Sequence, residues 1–207
     1  NQTAPDELTM REGLAYGGLD LSRRTDLTSL CLTVPDDTGQ LHTKVWTWTP
    51  ADTLDARETR DRAPYREWVD AGYLEALPGA SLPYDVLAKR ISEICQSYRV
   101  VSILYDRWAI ETLKYELEKL GSSYAVPLEP CGQGFKDFGP AVAETTGAAL
   151  NGDLRVSNPV LTWAVANAVL EEDAAGSGKL SKKKSWQRID PAVALCMAVK
   201  AARHDPV

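Results

Sequence analysis

Val100-Val101-Ser102-Ile103-Leu104-Tyr105 is a short, nearly continuous apolar run that stops at Asp106. A run of this length and character suits a strand buried on both faces. A helix from Ala109 to Leu120, closed by Gly121, follows it, and then a further strand from Tyr124 to Leu128. Strand, helix, strand in that order implies parallel strands joined by a crossover. Upstream, Leu87, Ile91, Ile94 and Tyr98 recur at helical spacing just after Pro83, and Tyr65, Trp68 and Val69 do so within the charged stretch Thr53 to Ala71. Earlier still, Gly13 to Asp20 (GLAYGGLD), Leu27 to Val34 and Leu41 to Trp48 read as three strands, the last two joined by the turn Pro35-Asp36-Asp37-Thr38-Gly39. Downstream come helices around Gly139 to Leu150 and Pro159 to Ala168, a hairpin from Val169 to Leu180, and a final apolar helix from Asp190 to Ala202. The sum is an α/β fold. An antiparallel three-strand meander opens a mixed sheet, parallel strands complete it, and helices pack on both faces.

The 207 residues suffice for one substantial domain, read here as 13–203, between a polar, aperiodic linker at 1–12 and a short tail at 204–207. The first residue is Asn1 and not Met, which points to a fragment of a longer chain. A net charge of −6 with 44% hydrophobic and 25% charged residues describes an ordinary globular protein. It argues against a protein that coats nucleic acid by bulk charge, but leaves room for a local basic groove. No apolar stretch approaches the roughly 18–20 residues of a membrane span, and no signal segment opens the chain, so no membrane partner is expected. Cys31, Cys95, Cys131 and Cys196 are scattered, form no C-x-x-C pair, and have only His42 and His204 to join them as imidazole ligands. A zinc module is therefore not expected, and buried free thiols in a reducing compartment are. Neither a G-x-x-x-x-G-K-[ST] loop nor a G-x-S-x-G elbow occurs.

Three aspartates share a setting: Asp20 ends the first strand, Asp106 ends the central strand, and Asp190 opens the last helix. If the first and central strands are neighbours, Asp20 and Asp106 reach one sheet edge, and a helix packed across that sheet would bring Asp190 beside them. Clustered carboxylates raise each other's pKa, so such a cluster is tolerable mainly with cations bound. Two Mg²⁺ or Mn²⁺ ions about 3.5–4 Å apart would clamp a phosphodiester, one activating water and the other stabilising the leaving oxygen. Each acid also has a purely structural reading: a helix cap at Asp190 before Pro191, a cap at Asp106, an Asx-turn at Asp20. The basic stretch Lys182-Lys183-Lys184-Ser185-Trp186-Gln187-Arg188 could meet phosphates, but on sequence alone reads first as a solvated hairpin arm. Arg23, Arg24 and Arg107 flank two of the aspartates.

These stretches resemble the nuclease domain of tailed-phage terminase large subunits. Gly18-Leu19-Asp20-Leu21-Ser22-Arg23-Arg24-Thr25-Asp26-Leu27-Thr28 is similar to that family's opening strand, and Ile103-Leu104-Tyr105-Asp106-Arg107-Trp108 to its second acidic strand. Gly132-Gln133-Gly134-Phe135 and the segment from Gly152 to Trp163 resemble its later helices. Lys184 through Arg188-Ile189-Asp190-Pro191-Ala192-Val193-Ala194-Leu195 resembles its closing K…(K/R)-I-D-x-x-x-A-L signature. The motifs run in order over roughly Gly13 to Ala202. The resemblance implies an RNase H-like fold and a metal-dependent endonuclease that cuts concatemeric double-stranded viral DNA during genome packaging, in the host cell cytoplasm. It implies an upstream packaging ATPase domain in the same polypeptide, and a small terminase subunit and portal as motor partners. Residue by residue, Asp20, Asp106 and Asp190 match the catalytic, metal-binding acids and Asp26 an additional acid near the metals. Asp20 would bridge two ions, with Asp106 and Asp190 completing one each, while Lys182, Lys183, Lys184 and Arg188 would meet DNA phosphates. Two departures stand out: Leu154-Arg155-Val156-Ser157-Asn158 occupies the segment where many relatives carry a histidine, and Pro191 stands where glycine is common. Two other readings remain, a non-catalytic DNA-docking or motor-coupling module on the same fold and an actin-like phosphotransferase. The second generally needs two lobes and a second glycine-rich loop.

Overall fold

The computed structural model describes residues 3–21, 27–107, 110–174, 176–185 and 187–204. Inside the stretch read as a linker lies a short helix, α1 (Glu7–Glu12), capped by the Asp6 carboxylate, which accepts from the Thr9 N–H at 2.7 Å. Its Met10 is fully buried. The meander follows as β1 (Leu14–Asp20), β2 (Thr28–Pro35) and β3 (Leu41–Pro50), antiparallel throughout. Cross-strand hydroxyls fix its register: Thr33 and Thr43 meet at 2.8 Å, Ser29 and Thr47 at 3.3 Å, all buried.

Helices α2 (Leu54–Asp61) and α3 (Tyr65–Asp70) come next, then the three-residue strand β4 (Glu75–Leu77). Helix α4 (Tyr84–Ser97) carries the apolar stripe read from the sequence and feeds the central strand β5 (Arg99–Tyr105). The crossover helix is α5 (Ile110–Lys119), and it returns the chain to β6 (Leu128–Pro130). The expected strand at Tyr124 to Leu128 is displaced towards the C-terminus. After α5 the chain turns back on itself at Gly121 (φ +66°), with Ser122 N–H donating to Leu117 O, and Tyr124 is fully exposed. Pairing with β5 begins only where Pro127 O accepts from Ile103 N–H at 2.7 Å. The remaining elements are α6 (Phe135–Asn151), β7 (Leu154–Arg155), α7 (Pro159–Ala166), the hairpin β8 (Leu170–Glu172) with β9 (Gly178–Leu180), and α8 (Asp190–His204).

One sheet runs in the order β4-β3-β2-β1-β5-β6, with β7 also pairing on β3. The bond between β1 and β5 is parallel, as is that between β5 and β6. Alternation along the strands divides two cores. Leu19, Leu30, Leu32, Ile103 and Tyr105 pack against Leu87, Ile91, Leu113 and Leu117 of α4 and α5. Cys31 and Leu104 point the other way, into clusters shared with α6, α7 and α8. All four cysteines are buried free thiols. Among the described residues no helix is long and apolar enough to cross a membrane.

Candidate active site

The alternation that builds the cores also aims the acids. Leu19 and Tyr105 are register partners on neighbouring parallel strands, and both face α4 and α5. The next residue on each strand, Asp20 and Asp106, therefore turns towards α8. Asp20 is 1% exposed and Asp106 half-buried. The third acid is brought in by an unusually close helix–strand approach. At Gly18 a Cβ would lie 2.0 Å from Ala194 O and 2.6 Å from Ala198 N, so only glycine lets the backbone of α8 rest on β1. Asp190, the first residue of α8, is 4% exposed and is thereby held at the same sheet edge.

A lysine closes the constellation. Lys182 Nζ lies 2.7 Å from Asp20 Oδ1, 2.6 Å from Asp20 Oδ2 and 3.0 Å from Asp190 Oδ1. The turn that presents it is tied at both ends to Val169. Ser181 N–H donates to Val169 O, and Val169 N–H donates to Ser185 Oγ at 3.1 Å. Within the turn Ser185 Oγ donates to Ser181 O at 2.7 Å. Burial pushes the Asp20 carboxyl up, to about 7, with repulsion from Asp190 and Asp106 adding to the rise and Lys182 opposing it. Burial pulls the Lys182 ammonium down, but Asp20 and then Asp190 more than reverse this and hold it above its ordinary value. Two carboxylates thus share one cation in a site closed to water on the acid side.

The other sequence candidates fall elsewhere or outside the described residues. Lys183 is exposed, and Lys184 Nζ pairs with Glu171 of β8 at 3.3 Å. Arg188 is half-buried, and its charge acts on Asp61 and Tyr65 of the α2–α3 layer. Asp26, Arg23, Arg24 and Trp186 lie outside the described residues. The histidine-free segment at Leu154–Arg155 forms β7. Neither imidazole approaches the acids. His42 Nδ1 accepts from Asp6 N–H at 2.9 Å while Nε2 meets Asp36, and His204 sits at the far end of α8, about 20 Å along its axis from Asp190. Sequence reasoning did not single out Ser181 and Ser185. Their spacing around the three lysines is the signal that a structured turn, not a free arm, presents Lys182.

The donor chemistry suits a hard divalent ion. The converging groups are carboxylate oxygens, two from Asp20 and one from Asp190, all now facing the Lys182 ammonium. Among the described residues no three His, Cys, Asp or Glu side chains stand together closely enough to form a ready-made metal cluster. Asp20 and Asp190 converge on the lysine, with Asp106 at the margin.

The family described as terminase large subunit, endonuclease domain, matches residues 1–205. The chain belongs to this family. It is 44% identical over 191 residues to the terminase large subunit of Enterobacteria phage HK97, covering 92% of this chain and 38% of that one. The crystal structure of the HK97 bacteriophage large terminase superimposes with a TM-score of 0.89 at 42% identity, over 97% of this chain and 41% of that chain. The large terminase nuclease of thermophilic phage G20c with bound magnesium matches with a TM-score of 0.58 at 11% identity, over 96% of this chain and 91% of that one. That likeness shows the same RNase H-like fold. The chain spans about two fifths of the length of the curated relatives it matches.

Proposed function

We propose that this domain is a metal-dependent endonuclease that cuts concatemeric double-stranded viral DNA during genome packaging, by two-metal phosphodiester hydrolysis with little sequence preference. The observation that carries the reading is the buried Asp20–Asp190 pair at the sheet edge, held together by a cation and flanked by Asp106. Asp20, Asp106 and Asp190 would hold the divalent ions, Mg²⁺ or Mn²⁺, with Asp26 as a further candidate ligand. Bound magnesium in the G20c relative supports the choice of ion class. Such ions supply Lewis acidity, polarising the phosphate and making water nucleophilic near neutral pH.

The chain's own residues supply position. Strand β1 and helix α8 are locked together at Gly18, which fixes Asp20 against Asp190. Lys182 carries positive charge to the acids, and Lys183, Lys184 and Arg188, which lie further from them, are the proposed phosphate contacts. No side-chain general base is needed in this reading, which fits a chain with only two histidines. A grip made of phosphate contacts carries no sequence information, which is why indiscriminate cutting is expected. DNA, an upstream ATPase domain, a small terminase subunit and a portal are the proposed partners, in the cytoplasm of the infected host.

A non-catalytic docking module on the same fold draws on one observation: Lys182 already neutralises the acid pair. Plasmid DNA incubated with the purified domain and Mg²⁺ or Mn²⁺ decides between them. Metal-dependent nicking and linearisation are expected, lost in Asp190→Ala and Asp20→Asn while DNA binding persists. A folded, metal-loaded domain that leaves plasmid intact at every concentration would overturn the nuclease reading and favour docking.

A further inference from the structure

We propose that Lys182 is the resident cation of this site, seated in the space between Asp20 and Asp190 that a divalent ion must enter, so that metal loading requires the lysine side chain to swing out. The inference rests on the metal reading above and adds a gate to it.

Three carboxylate oxygens lie within 2.6–3.0 Å of Lys182 Nζ, two from Asp20 and one from Asp190. A small divalent ion held by these oxygens needs contacts of about 2.0–2.1 Å. An ammonium already at hydrogen-bond distance from all three leaves no room for it. The ammonium and the ion also act in the same direction, since either places positive charge between two carboxylates that are 1% and 4% exposed. They are alternatives, not companions.

The structure also distinguishes which partner moves. Asp20 and Asp190 lie on β1 and α8, whose backbones touch at Gly18, so the backbone positions of the two acids are fixed against each other. The Lys182 side chain, by contrast, is 47% exposed. Ser181 and Ser185 pin the turn on either side of it. Release therefore needs rotation about the side-chain bonds and no rearrangement of the backbone. The lysine is a latch on a fixed frame.

A latch of this kind lowers apparent metal affinity by the fraction of time it is open. Mn²⁺ titrated by calorimetry into the wild-type domain and Lys182→Gln tests this directly. The variant is expected to bind at least about tenfold more tightly, and its melting temperature to rise more on adding metal, from a lower metal-free starting point. If both proteins bind Mn²⁺ and Lys182→Gln binds equally or more weakly, the latch is overturned while the metal reading stands. If neither binds, the metal reading itself fails, and the latch with it. Should Lys182→Gln not fold, the wild type still answers, by amine acetylation followed residue by residue with mass spectrometry. Saturating Mg²⁺ is expected to raise the labelling rate of Lys182 about tenfold while that of exposed Lys183 stays constant. A Lys182 rate unmoved by Mg²⁺ overturns the proposal.

Discussion

The Asp36 carboxylate gathers the turn between β2 and β3. Its Oδ1 accepts from Thr38 N–H at 2.9 Å, Thr38 Oγ at 2.7 Å and Gln40 N–H at 2.9 Å, and its Oδ2 lies 3.2 Å from His42 Nε2. Because His42 Nδ1 accepts a hydrogen bond from the Asp6 amide, the neutral ring's own hydrogen sits on Nε2 and points at Asp36. The Thr38 hydroxyl first, then the Gln40 amide and His42, hold the Asp36 carboxyl down at about 2. A carboxyl lowered on folding stabilises the fold fully above its unfolded pKa of 3.8, and that contribution is lost as pH falls towards about 2. Asp36→Asn is therefore expected to be less stable than wild type at neutral pH, and the gap to close between about pH 4 and about 2. Urea midpoints followed by circular dichroism across that range would show it, and a gap independent of pH would refute it. The three acids were legible in the sequence because each ends or opens a regular element. The placement of Lys182 was not, since a basic run looks the same whether it waves in solvent or turns inward. What decides between these is a contact across 162 residues of chain.

Contact between α8 and β1 is the element-scale counterpart. An alanine at Gly18 would drive its methyl into the backbone of α8, and a helix backbone cannot give way as a side-chain tip can. Gly18→Ala is expected to cost about 3 kcal/mol or more by urea unfolding, towards the upper end of overpacking penalties. Any folded remainder should show weakened metal binding, because Asp190 moves with the helix. A milder change lies at the start of α7, where Asn158 Oδ1 accepts from Leu161 N–H at 3.0 Å ahead of Pro159. Asn158→Ala should cost about 1 kcal/mol, the usual worth of such a cap. Both α7 and α8 announced themselves through a polar residue followed by proline. Strands β4 and β7 did not, because three and two residues are too few for alternation to register. They exist because β3 is ten residues long and offers its free edge at both ends. Strand β6 slipped for a related reason: Val126 is apolar and buried, as a strand residue would be, but it precedes Pro127 in a turn.

At the scale of the whole molecule, the small α2–α3 layer is joined to α7 through Tyr65, Trp68 and Trp163, whose rings meet edge to face with centroids 5.5–6.1 Å apart. Leu27, just ahead of β2, is buried in the same cluster, so this layer and the main sheet share one core boundary. Trp68→Ala should remove about 3–5 kcal/mol, the range for a buried aromatic. It should lower fluorescence and circular dichroism midpoints together. Two separated transitions would instead mark the layer as an independent unit. The site itself depends on parts made far apart in time. Asp20 is made first, and Lys182 and Asp190 come more than 160 residues later, roughly ten seconds or more at ordinary ribosome speeds. Until then the Gly18 trench lies uncovered, and neither Lys182 nor Asp190 has reached Asp20. A stalled or truncated chain therefore holds Asp20 without the two residues it meets in the finished fold.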